Sequence, residues 1–277
     1  ILEGKYRIPG LPSIYAEDGN RADTLVITMK DDVEDVCVKL YYGVLEDLDL
    51  ITRAVCVENR GAAPVFLERV MSMCLDNPYG NYDWITFYGK HEMERQLSRT
   101  SVHHGCQTVG SLRGASSQQY NPFVILADTG ASETQGECYG FSLLYSGNFL
   151  AEAEMDQFNQ TRVIMGIHPE NFSYKLEPGE SFWTPEAAMV YSDAGFEKMS
   201  HIYHRAIRSN LCRGRFKHAR RPVLMNNWEG TYFDFTGEKL LDMAEKAADL
   251  GIELFVMDDG WFGKRDTDSS GLGDWHV

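Results

Sequence analysis

The sequence predicts two kinds of structure in succession: a β-sandwich, then the first β-α-β unit of a parallel α/β fold. Three observations carry this reading. From Ile1 to about Tyr191, short apolar runs recur with Gly, Asn and Pro between them, as many short strands require. From Gly195 to Asn210 the apolar spacing becomes helical, through Phe196, Met199, Ile202, Tyr203, Ala206 and Ile207. Beyond residue 222, two short apolar runs flank a third stretch of helical period.

Taken in order, residues 24–29 (Thr-Leu-Val-Ile-Thr-Met) read as a strand, closed by the acidic turn Asp31-Asp32. Residues 36–42 form the next. Residues 51–58 follow, and Asn59-Arg60-Gly61 signals a turn, which predicts a hairpin with the apolar run at 65–75. Residues 76–84 are turn-rich and aromatic. Residues 111–123 read as a loop entering a strand at 124–127. Strands are predicted at 140–146 and 161–167, then on either side of the Pro178-Gly179 turn, and last at 187–191. Arg213, Arg215, Lys217, Arg220 and Arg221 make the following stretch basic and irregular. The predicted boundaries are a sandwich over residues 1–193, a helical connector over 194–221 and the α/β unit over 222–277.

The C-terminal unit holds the chemistry. Residues 222–229 run Pro-Val-Leu-Met-Asn-Asn-Trp-Glu, an apolar strand ending in polar and aromatic residues. The helix at 240–250 has Thr236 as its predicted N-cap, Glu238 in the first turn and Gly251 as its stop. The second strand, 253–257, ends in Asp258-Asp259-Gly260-Trp261. Ligands of parallel α/β folds bind at the C-terminal ends of strands. A sugar needs acceptors for its hydroxyls and an aromatic plate for its C–H faces, and Asp258, Asp259 and Trp261 offer both. Two acidic residues can also merely cap a loop. Trp228, at the preceding strand end, tips the reading toward a ligand. Gly260 and Gly263 serve the backbone of the turn.

Three runs, Arg-Pro-Val-Leu-Met-Asn-Asn-Trp-Glu (221–229), Asp-Asp-Gly-Trp-Phe-Gly-Lys-Arg (258–265) and Gly273-Asp274-Trp275, resemble the α-galactosidases of glycoside hydrolase family 36. The stretch from Ser116 to Phe123 is similar to another run of that family, with Tyr120 where a histidine is expected. The resemblance implies an N-terminal β-supersandwich followed by the start of a catalytic (β/α)8 TIM barrel. It implies retaining hydrolysis of terminal α-D-galactosyl residues from melibiose- or raffinose-type galactosides. Carried over, Asp258 and Asp259 accept hydrogen bonds from galactose hydroxyls and Trp228 walls the sugar subsite. The family's nucleophile is the aspartate of a Lys-Trp-Asp motif on a later strand, and its acid/base aspartate is later still. Neither motif occurs here, so no catalytic residue is placed, and the chain is expected to be an inactive piece of a longer enzyme whose start is missing. Asp258 and Asp259 are not themselves a catalytic pair, because retaining enzymes hold two carboxyls about 5–5.5 Å apart on opposite sides of the scissile bond.

The resemblance also implies a homotetramer, with polar loops between Tyr79 and Tyr120 bordering a neighbour's pocket; the cytoplasmic setting is read from the cysteines. The alternatives are an α-N-acetylgalactosaminidase, a raffinose-series galactosyl transferase of the same family, or a non-catalytic carbohydrate-binding or oligomerisation module. A formal net charge of −15 opposes nucleic acid and anionic membranes as partners, since both need a basic face. No apolar run is long enough to span a membrane. The six cysteines, Cys37, Cys56, Cys74, Cys106, Cys138 and Cys212, lack Cys-x-x-Cys spacing and read as reduced thiols, the first three as core residues. His103-His104 and the pair His201 and His204 read as surface histidines. No zinc signature, phosphate-binding glycine loop or Gly-x-Ser-x-Gly elbow is found, so no cofactor and no metal is predicted.

Overall fold

The computed structural model describes residues 1–17 and 19–277. They form two compact units, Ile1–Cys212 and Arg213–Val277. Among the described residues no helix is long and apolar enough to cross a membrane.

The first unit is built on a ten-stranded sheet. Its middle runs Leu50–Asn59, Ala187–Ser192, Cys138–Leu143, Tyr120–Asp128 and Tyr82–Lys90, all antiparallel to their neighbours. One flank carries Val36–Leu45, Ala22–Asp31 and Leu2–Glu3, and the other Met93–Ser101. Strand alternation sets the core. In Tyr120–Asp128, Ile125 and Ala127 enter the cluster formed with Met199, Ile202, Tyr203 and Ala206 of the helix Gly195–Ala206. Val124 and Leu126, between them, enter a second cluster with Phe149, Val163 and Met165. Those three belong to a second sheet, Phe149–Met155, Thr161–Ile167 and Met71–Asn77. The helix approaches the sheet closely at Gly140, where a Cβ would lie 2.6 Å from Met199 Sδ and 2.8 Å from the Tyr203 ring.

The sandwich is the predicted one, with three corrections. Residues 51–75 do not form a hairpin. Leu50–Asn59 already has Val36–Leu45 on one side and Ala187–Ser192 with Ser181–Trp183 on the other. The run after it splits instead. Val65–Leu67 pairs with Tyr174–Leu176, and Met71–Asn77 with Thr161–Ile167. Asn59 fixes the departure, its buried amide donating to Ala63 O at 2.8 Å and Leu176 O at 2.9 Å. Residues 111–123 are not all loop, since the strand already starts at Tyr120 and another, Gly105–Ser111, precedes it. Cys74 is exposed, because alternation turns its neighbour Met73 inward. All six thiols are free. The Pro178-Gly179 turn closes through Glu180 N to Glu177 O at 3.0 Å.

An ion pair is sealed into this unit. Lys5 Nζ donates to Glu186 Oε2 at 2.6 Å, and Ile14 N donates to Glu186 Oε1 at 2.7 Å. The two charged side chains are 1% and 0% exposed. Burial pushes the Glu186 carboxyl up and the Lys5 amine down, against their mutual attraction.

The second unit contains the parallel pair Leu224–Asn226 and Leu254–Val256, in register Leu224 to Leu254 and Asn226 to Val256. Two helices connect them, a single turn Trp228–Thr231 and the longer Gly237–Asp249. Thr236 caps the second, its hydroxyl accepting from Lys239 N at 3.3 Å. Gly251 N donates back to Ala248 O at 2.9 Å, stopping the helix where the sequence predicts. Leu240 and Ala247 are the buried residues of this helix.

Candidate functional site

Both strands of the second unit end in polar residues at the same end, as parallel pairing requires. Asn226 and Val256 are register partners, so the residues following them are brought together. The backbone of the second strand's exit is held by the first: Asp258 N donates to Asn227 Oδ1 at 2.8 Å. Asn227 is fully buried, and its amide nitrogen donates to Thr231 Oγ1 at 2.8 Å. Asn226 works on both sides. Its Nδ2 donates to Asp258 Oδ2, while its Oδ1 accepts from Trp228 N at 2.7 Å. This residue links two of the three predicted site residues.

The two carboxylates differ in what holds them. Asp258 Oδ1 accepts from Asp259 N at 2.7 Å. Asp259 Oδ1 accepts from Gly260 N at 2.7 Å and from Arg265 Nε at 2.8 Å. Asp259 Oδ2 accepts from Arg265 Nη2 at 2.7 Å. Each carboxylate oxygen has about two lone-pair sites. Asp258 therefore keeps one acceptor site on each oxygen, and Asp259 keeps one, on Oδ2. The hydrogen bonds from Arg265 hold the Asp259 carboxyl below the usual carboxylate range. Gly260 sits at φ 94°, a left-handed conformation, and a Cβ there would be 3.0 Å from the Phe235 ring.

Asp258, Asp259, Trp261, Phe262, Arg265 and Trp275 border a shallow open depression. Phe262 is buried, with Trp261 edge-on at 5.0 Å and Trp275 tilted at 4.6 Å. Trp261 is 39% exposed. Trp228 does not line this depression. Its half-buried ring packs edge-on against Tyr232 at 5.4 Å and Phe233 at 4.9 Å. The structure thus brings Asp258 and Asp259 together and sets Trp228 one residue-bridge away, through Asn226. Asn226 and Arg265 hold the predicted carboxylates and are not among the residues that the sequence singles out. The Asn-Asn pair immediately before Trp228 was a signal for the first; an arginine six positions after Asp259 was a faint one for the second.

In the first unit, Cys106, Glu152 and Glu154 bring donor atoms within 4.8 Å of one another. Arg69 Nη2 stands 3.6 Å from Glu152 and competes for that carboxylate. His103, His104, His201 and His204 are exposed.

Residues 1–177 match the glycosyl hydrolase family 36 N-terminal domain, and residues 181–277 match the melibiase domain. The chain belongs to glycosyl hydrolase family 36. The bifunctional α-galactosidase/sucrose kinase AgaSK of Mediterraneibacter gnavus is 52% identical over the whole chain, which covers 30% of that protein. The α-galactosidase AgaA of Geobacillus stearothermophilus is 50% identical over the whole chain, which covers 38% of it. The crystal structure of a doubly substituted form of AgaA in complex with stachyose superposes on the whole chain with a TM-score of 0.95, at 50% identity and 38% coverage of that structure. The chain therefore spans between 30% and 38% of the length of these family 36 relatives. Its sandwich is the family's N-terminal domain, and its parallel unit is the start of the catalytic barrel.

Proposed function

We propose that this chain is part of a retaining α-galactosidase that removes terminal α-D-galactosyl residues from melibiose- and raffinose-type sugars. The observation that carries this reading is the likeness along all 277 residues to two proteins named as α-galactosidases, one of them solved with stachyose. Asp258 and Asp259 bind the galactose hydroxyls with the three acceptor sites left open by their protein partners, and Trp228, joined to Asp258 through Asn226, walls the subsite beside the depression that the two carboxylates border. Charge-assisted hydrogen bonds of this kind contribute about 1.5–3 kcal/mol each. The nucleophile and the acid/base lie outside this sequence, on later strands of the same barrel.

The sandwich proper spans residues 1–193, residues 194–221 connect, and the barrel starts at 222. The six free thiols support a reducing, cytoplasmic setting. The reading extends to a homotetramer whose contacts include the segment between Tyr79 and Tyr120, where Tyr79, Met93, Leu97 and Leu112 are exposed.

The test is galactose release from raffinose by the longer protein and its D258N variant. Release by the parent, with a loss of about tenfold or more in kcat/KM on D258N, supports the reading. A folded parent that releases no galactose from any α-galactoside contradicts it.

A further inference from the structure

Arg265 is the most constrained charged side chain of the second unit's loop. It is 7% exposed at the side chain. All three of its nitrogens are engaged: Nε and Nη2 on the two oxygens of Asp259 at 2.8 and 2.7 Å, and Nη1 on Ser270 O at 2.8 Å. Its guanidinium carbon lies 5.6 Å from the Phe233 ring centre and 5.7 Å from that of Phe262. A planar fork locked this way fixes both position and rotation of the carboxylate it grips, which a point charge would not.

We propose that Arg265 is a positioning residue of the sugar subsite. It acts through Asp259, turning that carboxylate so that Oδ2 alone presents an acceptor toward the depression while Oδ1 is used up by Gly260 N and the fork. The inference rests on the reading that Asp259 binds a galactose hydroxyl. It assigns to a residue outside the Asp-Asp pair the task of making the two adjacent carboxylates inequivalent. An isolated aspartate is ionised at neutral pH, with a pKa of about 3.9. What Arg265 adds at that pH is therefore orientation rather than charge. Orientation is also what a sugar hydroxyl discriminates, since a hydrogen bond weakens steeply below ~120°.

The experiment is a double-mutant cycle on the longer protein, with kcat and KM for p-nitrophenyl α-galactoside measured for the parent, R265A, D259N and the combined variant. R265A is expected to raise KM about tenfold and to change kcat less, because a ground-state sugar contact is lost. D259N should cost at least as much. The combined variant should be no worse than D259N alone, because Arg265 has nothing left to position. R265K should recover only part of the KM loss, since an ammonium cannot fork. If R265A fails to fold, R265K and R265Q carry the cycle, with thermal midpoints checked beside the kinetics. Additive losses in an active parent overturn the Arg265 assignment and leave the α-galactosidase reading standing. A folded parent that neither binds nor hydrolyses an α-galactoside overturns both.

Discussion

The two compact units treat apolar surface in opposite ways. In the first, residues 124–127 of the strand Tyr120–Asp128 are buried on both faces, one against a helix and one against a second sheet. Leu45, Leu50, Phe141 and Phe149 are each at most 1% exposed. In the second, Leu224 and Leu254, paired across the parallel strands, are 52% and 42% exposed, and Leu241 of the connecting helix is 66% exposed. Among the described residues its two strands pair only with each other. A sandwich closes its core among its own strands. A barrel closes only when all its strands are present, because each strand's edges and faces are covered by later ones. The same chain thus holds one unit whose stability is its own and one whose apolar residues need further partners.

Substitutions can break this contrast, starting with the largest effect. Glu186→Ala should destabilise the first unit by about 3–5 kcal/mol, because it strands the Lys5 ammonium in a dry site and frees Ile14 N. Leu45→Ala should cost about 2–5 kcal/mol in the same unit. Equilibrium unfolding of each variant measures both. Thr236→Ala removes a cap and should cost about 1 kcal/mol, seen as faster amide exchange at the start of Gly237–Asp249. Leu241→Ser should change stability of this chain by no more than about 0.5 kcal/mol, although the residue is as apolar as Leu45. A large loss at Leu241 would mean that the second unit is already closed.

The pH response follows the same division. The Asp259 carboxyl is depressed in the folded chain, first by hydrogen bonds from Arg265. A depressed acid contributes stability that is present above its unfolded pKa, about 3.9, and is lost as pH falls through the folded value. The Arg265 fork should therefore hold throughout the neutral range and open only in strong acid. Carboxyl chemical shifts followed by NMR through acid titration would report it.

Much of this was legible from residue order. Apolar runs located part of the sandwich, including the strands around 124–127, 161–167 and 187–191, but not Tyr82–Lys90, Met93–Ser101, Gly105–Ser111 or Phe149–Met155, and helical spacing from Phe196 to Ile207 located the helix. Thr236 and Gly251 marked their helix ends because caps act locally. The hairpin at 51–75 misled because its turn signal was real while the partner choice was not local. Arg53 pairs with Ala187, more than a hundred positions away, and nothing near Asn59 announces that. In the site, Asp258, Asp259 and Trp228 stood out as rare residues at strand ends. Asn226 acquires its role only from the parallel register, and Arg265 only from a loop that folds back over six residues. Contacts made by tertiary geometry leave little trace in spacing.

The most direct test compares p-nitrophenol release from p-nitrophenyl α-galactoside by the 277-residue chain and by the longer protein under the same conditions. The account predicts turnover by the longer protein alone, with the nucleophile beyond these residues. Turnover by the 277-residue chain would contradict that placement, and folded but silent preparations of both would contradict the α-galactosidase reading itself.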